Sequence, residues 1–357
     1  MDAGHWYRSG PNIPSRTVTT PECPDRPSGG QLSAIKSSSL RIPTYTVELP
    51  GSSSEYGVDP LILGTLLDDR YRVLRKIGQG GEGDVYIARD EQLGCDVAIK
   101  AQFPRSFESS QTYFSAASAI EGELERLTFM SHLPGIPRVL GDGRYGLNKG
   151  RYIVMELIDG VTVESWIAEH HPVSAVAALS VVAQLCNILD GVHSEKYVHR
   201  DVCPRNAMLR TDGRACLLDV GISGKVHEVN PDYRGTPYYA PPEQYNRESR
   251  LSPQVDVFSL GVMLFAMVGT DVPYGDLEGP PDDATPPFPK GLSSEMPEGI
   301  LTLALSMVSF EPRGRPDGVA EVLRILGRML PKLGEDRPPK ATQPDSTMPF
   351  RLGLPLL

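Results

Sequence analysis

The run Val198-His-Arg-Asp-Val-Cys-Pro-Arg-Asn206, followed by Asp219-Val-Gly221 thirteen residues past Asn206, narrows the options for this chain more than any other feature. It fits H-R-D-x-x-x-x-N and sets a carboxylate, an amide and a second carboxylate within one short span. Asp201 can orient a hydroxyl and accept its proton. Asn206 and Asp219 are hard oxygen donors of the kind that hold Mg2+ beside phosphates. Triplets of this sort also arise by chance, so their weight depends on what stands upstream.

Upstream, Gly78-Gln-Gly-Gly-Glu-Gly-Asp-Val85 fits G-x-G-x-x-G-x-V, with glycines at 78, 80 and 83. Glycine lets a backbone turn tightly and approach phosphate oxygens with no Cβ in the way. Here the glycines lie between two predicted strands, unlike a dinucleotide site, where the turn opens a helix. No Gly-Lys-Ser/Thr follows, which excludes a Walker A loop. Lys100 stands fifteen residues past Val85, at the end of Val97-Ala-Ile-Lys100. A lysine ending a strand beside a phosphate-binding hairpin can neutralise the α- and β-phosphates of a nucleotide. Such a lysine needs a carboxylate to hold it, and the helical stripe at 116–131 offers Glu121, Glu123 and Glu125. Glu123 borders the apolar positions Leu124, Leu127 and Met130 and is the first choice, with Glu121 as the alternative.

Alternating runs at Tyr71–Ile77, Val85–Ala88, Asp96–Lys100 and Arg151–Met155 predict strands. Apolar periodicity predicts helices over 116–131, Ala175–His193, Val255–Val268, Gly299–Ser309 and Gly318–Leu330. Strands first and helices later imply an α+β chain in two lobes. Residues 275–298 form a Pro-rich connection. Residues 1–60 hold ten Ser, five Thr, eight Pro and six Gly. A segment like this buries too little apolar surface to offset its ordering entropy, so 1–63 is expected to be disordered. Residues 331–357 carry six Pro and are expected to form a loose tail; its end, Phe350–Leu357, is apolar enough to dock, with a frayed terminus the preferred reading.

Composition bounds the partners. Hydrophobic residues make up 40% of the 357, enough for a sizeable core. A net charge of −10 disfavours a dominant grip on nucleic acid or on an anionic membrane. Five Cys without C-x-x-C spacing argue against a disulfide framework or a zinc ribbon and fit a reducing compartment. No run reaches about 18 apolar residues and the N-terminus lacks a signal-peptide pattern, so no membrane span and a cytoplasmic location are expected.

Taken in order, these motifs resemble those of the eukaryotic-like Ser/Thr protein kinases of bacteria. The resemblance runs over residues 64–330, beginning around Arg70-Tyr-Arg-Val-Leu-Arg-Lys-Ile-Gly-Gln-Gly-Gly81. Gly235-Thr-Pro-Tyr-Tyr-Ala-Pro-Pro-Glu243 is similar to the G-T-x-x-Y-x-A-P-E end of an activation segment. Asp256-Val-Phe-Ser-Leu-Gly261 is similar to D-V-W-S-L-G, and Arg313-Gly-Arg-Pro316 to the late R-P motif. The resemblance implies a bilobal protein-kinase-like fold, with a small β-rich N-lobe over 64–155 and a larger helical C-lobe over 159–330. It implies ATP and Mg2+, and transfer of the γ-phosphate to Ser or Thr hydroxyls of proteins, the chain itself included. It assigns catalysis to Asp201, Lys100 and Glu123, and metal binding to Asn206 and Asp219. Nucleotide binding falls to Ile77, Gly78, Gly80, Gly83, Val85, Ala98, Lys100, Glu156 and Met208. Arg315 and Glu243 are expected to form a buried ion pair.

Three departures bear on activity. Cys203 stands two residues past Asp201, where the family carries Lys, and Arg205 is expected to supply the missing cation and act catalytically. Cys203 itself is either an inert small residue or a reactive thiolate beside Arg neighbours. Val220 replaces a Phe that in the family packs in a column with His199, Leu127 and Val139, and repacking through Leu218 or Leu127 is expected. Rival readings are a pseudokinase or nucleotide-binding scaffold, prompted by Cys203 and Val220, a small-molecule phosphotransferase, and tyrosine or dual specificity. Arg200 can receive a phosphate in relatives, yet residues 219–243 hold few hydroxyls. Little dependence on phosphorylation there is expected, with autophosphorylation in the N-terminal segment at residues such as Ser37, Ser38, Ser39 and Ser52. Substrate, signal and oligomeric state are not legible in the sequence.

Overall fold

The computed structural model describes residues 61–79, 83–102, 110–145, 150–232, 234–269, 271–275, 287–288, 296–338 and 340–356, with side chains of the first helix from 119 onward. Residues 1–60, with the disorder and phosphorylation expected there, lie outside these residues, as do Gly80 and most of the 275–298 connection; Leu61, expected to be disordered with 1–63, is buried in the core of the sheet.

The period-two pattern near the start becomes one antiparallel sheet. Strands β1 (Leu66–Leu67), β2 (Tyr71–Gln79), β3 (Gly83–Asp90), β4 (Cys95–Gln102), β5 (Val139–Tyr145) and β6 (Gly150–Glu156) pair in the order β1-β2-β3-β4-β6-β5. Alternation sends the two sets of side chains to different places. Val97, Ile99 and Ala101 of β4 join Tyr86 and Ala88 of β3 and Tyr152 and Val154 of β6 in one apolar core. On the opposite face Val85 pairs with Lys100, Ile87 with Ala98, and Ile153 with Lys100. Helix α1 (Ser110–Met130) covers that second face, and its Ile120, Leu127 and Met130 are buried with Ile153. The sheet therefore buries an apolar set on one side and offers Lys100 to α1 on the other.

The second half is helical: α2 (Val163–His170), α3 (Ala175–Ser194), α4 (Gln254–Val268), α5 (Glu298–Met307), α6 (Val319–Leu326) and α7 (Met348–Leu352). Thr162 caps α2 by accepting from the Ser165 N–H, and Ser174 caps α3 by accepting from Ala177. Helix α3 is long and apolar enough to cross a membrane by length and composition alone. Its apolar residues instead pack in the helical core with α4, α5 and α6. Two small sheets complete the fold. Strand β9 (Ala207–Arg210) lies between β7 (Gly160–Thr162) and β10 (Ala215–Leu217), and β8 (Tyr197–Val198) pairs with β11 (Gly224–Lys225).

The loose C-terminal tail expected from the Pro content is corrected. Residues 342–351 are docked on α2 and α3. The Trp166 indole donates to Pro344 O (3.2 Å), Gln184 Nε2 to Ser346 O (3.1 Å), and the Ser346 hydroxyl to Ala177 O (2.9 Å). Asp345 and Arg351 form a buried ion pair at 2.7 Å. Pro content signals resistance to regular structure; it does not forbid docking through carbonyls and side chains, and that is how this segment is held.

Candidate active site

Lys100 is placed by strand register. It ends the apolar run of β4, faces α1 and is buried. Its ammonium donates to Glu123 Oε1 at 2.7 Å and to Asp219 Oδ2 at 3.2 Å. Of the candidate carboxylates on α1, Glu123 holds the lysine, while Glu121 pairs with Arg151. Burial of Asp219 works to raise its carboxyl, but Lys100 and the Gly221 N–H outweigh it and hold it below the usual carboxylate range. Asp219 adopts φ 56°, a left-handed conformation uncommon outside glycine, and its Oδ1 accepts from the Gly221 N–H at 3.0 Å.

The loop around Asp201 hangs from one buried carboxylate. Asp256, at the start of α4, accepts from the backbone N–H groups of His199 and Arg200, each at 2.9 Å, and pairs with His193 at 2.8 Å. Asp201 is then oriented from two sides. Asn206 Nδ2 donates to its Oδ2 (2.8 Å) and to its backbone carbonyl (2.9 Å). Thr236 donates to its Oδ1 through both the N–H (2.9 Å) and the hydroxyl (2.6 Å). Asn206 thus spends its amide N–H groups on Asp201, which turns its amide oxygen into the acceptor end of the group. That oxygen and the Asp219 carboxylate are hard donors, suited to Mg2+ and not to softer metals.

The other expected residues fall around this centre. Ile77 is exposed at the end of β2, and Gly78 lies opposite Val85. A Cβ on Gly78 would meet only Val85, at 3.7 Å, so the protein itself leaves room there. Gly83 differs: a Cβ would collide with the Ala101 carbonyl, so close pairing of β3 with β4 already requires glycine. Ala98 shares the face of Val85 and Lys100, and Met208 pairs with Thr162 and Cys216 in the small sheet below. The Glu156 side chain is held by Arg210 (2.9 Å) and Arg138 (3.5 Å), and its backbone N–H donates to Arg138 O at 2.9 Å. Arg205 is exposed and forms no ion pair among the described residues.

The departures have local answers. Cys203 is buried with its Sγ 3.5 Å from the Thr236 hydroxyl, whose one proton goes to Asp201, so the thiol is the donor to that oxygen. Burial, then the Asp201 charge, pushes the thiol up to about 11, so it is protonated at neutral pH and the reactive-thiolate reading is set aside. Val220 and Leu127 are buried in one apolar core, and Val139 packs against that core. His199 donates from Nε2 to Leu218 O (3.0 Å), and its Nδ1 accepts from the Asp201 N–H (3.3 Å).

Two sets of pairings in the site were not read from the sequence, although Arg200 itself was singled out there. Arg200, buried with φ 71°, directs its guanidinium to Ile222 O, Asn230 Oδ1 and Asp232 at 2.8–3.1 Å. Arg126 of α1 donates to the backbone carbonyls of Val220 (3.0 Å) and Gly221. A single acidic or basic residue in a polar stretch carries no signal for such pairings. The expected Arg315 and Glu243 pair is present and bidentate, at 2.6 and 2.9 Å, with the guanidinium 4.9 Å above the Phe258 ring.

Residues 71–316 match the protein kinase domain family. The chain is 33% identical over 300 residues to the serine/threonine-protein kinase PknA of Mycobacterium tuberculosis, covering 79% of this chain and 67% of that one. It is 29% identical over 280 residues to PknB of the same organism, and 25% identical over 288 residues to a probable PknB of Lactococcus lactis. Those two alignments cover 74% and 77% of this chain and 43% and 44% of the relatives, so the chain spans under half the length of either PknB.

Proposed function

Because this chain belongs to the protein kinase family, among its bacterial eukaryotic-like Ser/Thr members, we propose that it transfers the γ-phosphate of ATP to Ser or Thr hydroxyls of proteins, itself included. The observation that carries the proposal is Lys100, held at once by Glu123 and by Asp219 across the two lobes. That arrangement sets a phosphate-directed ammonium beside a metal-directed carboxylate with no rearrangement needed.

The chain's own groups divide the work. Val85 and Ala98 lie on the sheet face that carries Lys100, and with Met208 they would sandwich the purine. Lys100 positions the α- and β-phosphates. The room above Gly78 admits the backbone close to phosphate oxygens. Asn206 and Asp219 would hold Mg2+, which when bound neutralises charge on the phosphates. Asp201, fixed by Asn206 and Thr236, accepts the proton of the substrate hydroxyl as that oxygen bonds to the γ-phosphorus and the bond to ADP breaks. Arg205 supplies the cation that Cys203 lacks. A cytoplasmic site of action fits the free cysteines.

Incubation with γ-labelled ATP and a basic acceptor protein tests the reading. Labelled phosphoserine or phosphothreonine should form with wild type, and transfer should be nearly abolished in Lys100→Met and Asp201→Asn variants that keep the wild-type melting temperature. Transfer near the wild-type rate in folded Lys100→Met would refute it. Nucleotide binding without transfer in wild type would favour a scaffold instead.

A further inference from the structure

Resting on the proposed phosphoryl-transfer site, we infer that Arg126 is a positioning residue that locks α1 to the metal-binding turn, doing by hydrogen bonds what an aromatic side chain at position 220 would do by packing. Arg126 Nε donates to Val220 O at 3.0 Å and Nη2 to Gly221 O. Both carbonyls directly follow Asp219, whose left-handed backbone turns the chain there. Val220 O also accepts from the Ser223 N–H at 3.1 Å, so one carbonyl ties the turn both to itself and to α1.

The grip closes a circuit. Glu123 and Arg126 lie three residues apart on α1, hence on one helix face. Glu123 holds Lys100, Lys100 holds the Asp219 carboxylate, and Arg126 holds the backbone that follows Asp219. Moving α1 away from the cleft would break the Glu123 and Arg126 contacts together. Lys100, Glu123 and Asp219 are therefore in place only when α1 and the turn are in register.

Gly122 gives independent support. A glycine inside a helix is destabilising relative to alanine, so its presence needs a reason. A Cβ at 122 would stand 3.1 Å from Arg126 Nη1 and 3.5 Å from Nη2, tighter than ordinary contact. The missing side chain leaves space for the guanidinium to lie along α1 and reach the turn.

Arg126→Met keeps the apolar stem and removes every donor, whereas Arg126→Lys restores one. Amide hydrogen exchange on the full chain without nucleotide reads the lock directly. Residues 219–224 and 119–130 should exchange faster in Arg126→Met than in wild type, with α3 and α4 unchanged, and Lys should fall between. In transfer assays the Mg2+ concentration for half-maximal rate should rise and kcat/KM should fall by about ten- to a hundredfold in Arg126→Met, as for other residues that orient metal ligands. Gly122→Ala should shift both readouts the same way by less, at unchanged or higher melting temperature. Unaltered exchange at 219–224 in Arg126→Met, or faster exchange spread evenly over the chain, would overturn the inference. The localised exchange change in a protein that transfers no phosphate would uphold the lock and refute the activity on which its purpose rests.

Discussion

Between Asp201 and Asn206 the chain replaces a cation with a thiol and carries a guanidinium two residues later. The thiol is buried, hydrogen-bonded to Thr236 and protonated below about pH 11. It can stabilise no anion on a phosphoryl group in flight, so any compensating charge must come from Arg205. We expect Cys203→Ala to retain most of the wild-type kcat/KM, and Arg205→Ala to lose on the order of a hundredfold. Equal rates for Arg205→Ala and wild type would end the compensation idea. Iodoacetamide at pH 8 should leave Cys203 unmodified in the native protein and label it after unfolding. The sequence exposed both residues as departures, yet it left the thiol's state open, because whether an arginine neighbour or burial wins depends on where the Sγ points.

At the scale of elements, strands and helices with a regular apolar period were legible, although α1 begins at Ser110, ahead of the expected 116–131, and α6 ends at Leu326, short of the expected Leu330. Tyr71–Ile77 became β2, Ala175–His193 became α3, and Val255–Val268 became α4. Elements fixed by partners were not: β5 is interrupted by Gly141 and Gly143, and the short α7 carries Pro349 in its first turn. The same divide holds for the site. Lys100, Asp201, Asn206 and Asp219 stand in ordered motifs, whereas Arg126, Asn230 and Asp232 act through contacts distant in sequence. The last two bear on control of the activation segment. Arg200 is buried, and its charge is met by Asp232 at 3.0 Å and Asn230 at 2.8 Å within that segment. Asp232 also binds Arg234 at 2.6 Å, and its carboxyl, raised by burial, is brought below the usual range by the two arginines. A carboxylate of the activation segment thus already pairs with Arg200. Dephosphorylated enzyme should keep its rate, and Asp232→Ala should lower it and destabilise the fold by about 1–3 kcal/mol, less than for a wholly buried pair because Asp232 is partly exposed. Mass spectrometry and rate measurements before and after phosphatase treatment check this. A main phosphosite between 221 and 236 whose removal abolishes activity would contradict it.

For the whole molecule, the family match ends at residue 316, but the folded unit continues to the docked tail. Gln184 explains how. From the middle of α3 its amide donates to Gly213 O and to Ser346 O, each at 3.1 Å, and accepts from the Ala215 N–H at 2.8 Å. One buried side chain joins the helical core, the β9 to β10 turn and the tail. Gly213 is required there, since a Cβ would collide with the Asp345 carbonyl. Removing residues 339–357 would leave the Trp166 N–H and half of the Gln184 amide without partners in the core. Those losses, with the exposed apolar contacts, should cost on the order of 3–5 kcal/mol. The melting temperature should fall by roughly 5–15 °C. Breaking the Asp345 and Arg351 pair from one side, by Asp345→Asn, should cost nearly as much, because it strands a buried guanidinium. Replacing both with apolar residues of similar volume should restore most of the loss. None of these groups touches Asp201, Lys100 or Asp219, so kcat measured well below the melting temperature should stay at the wild-type value. A truncated chain that melts like the full one would show that the tail rests on the lobe without holding it.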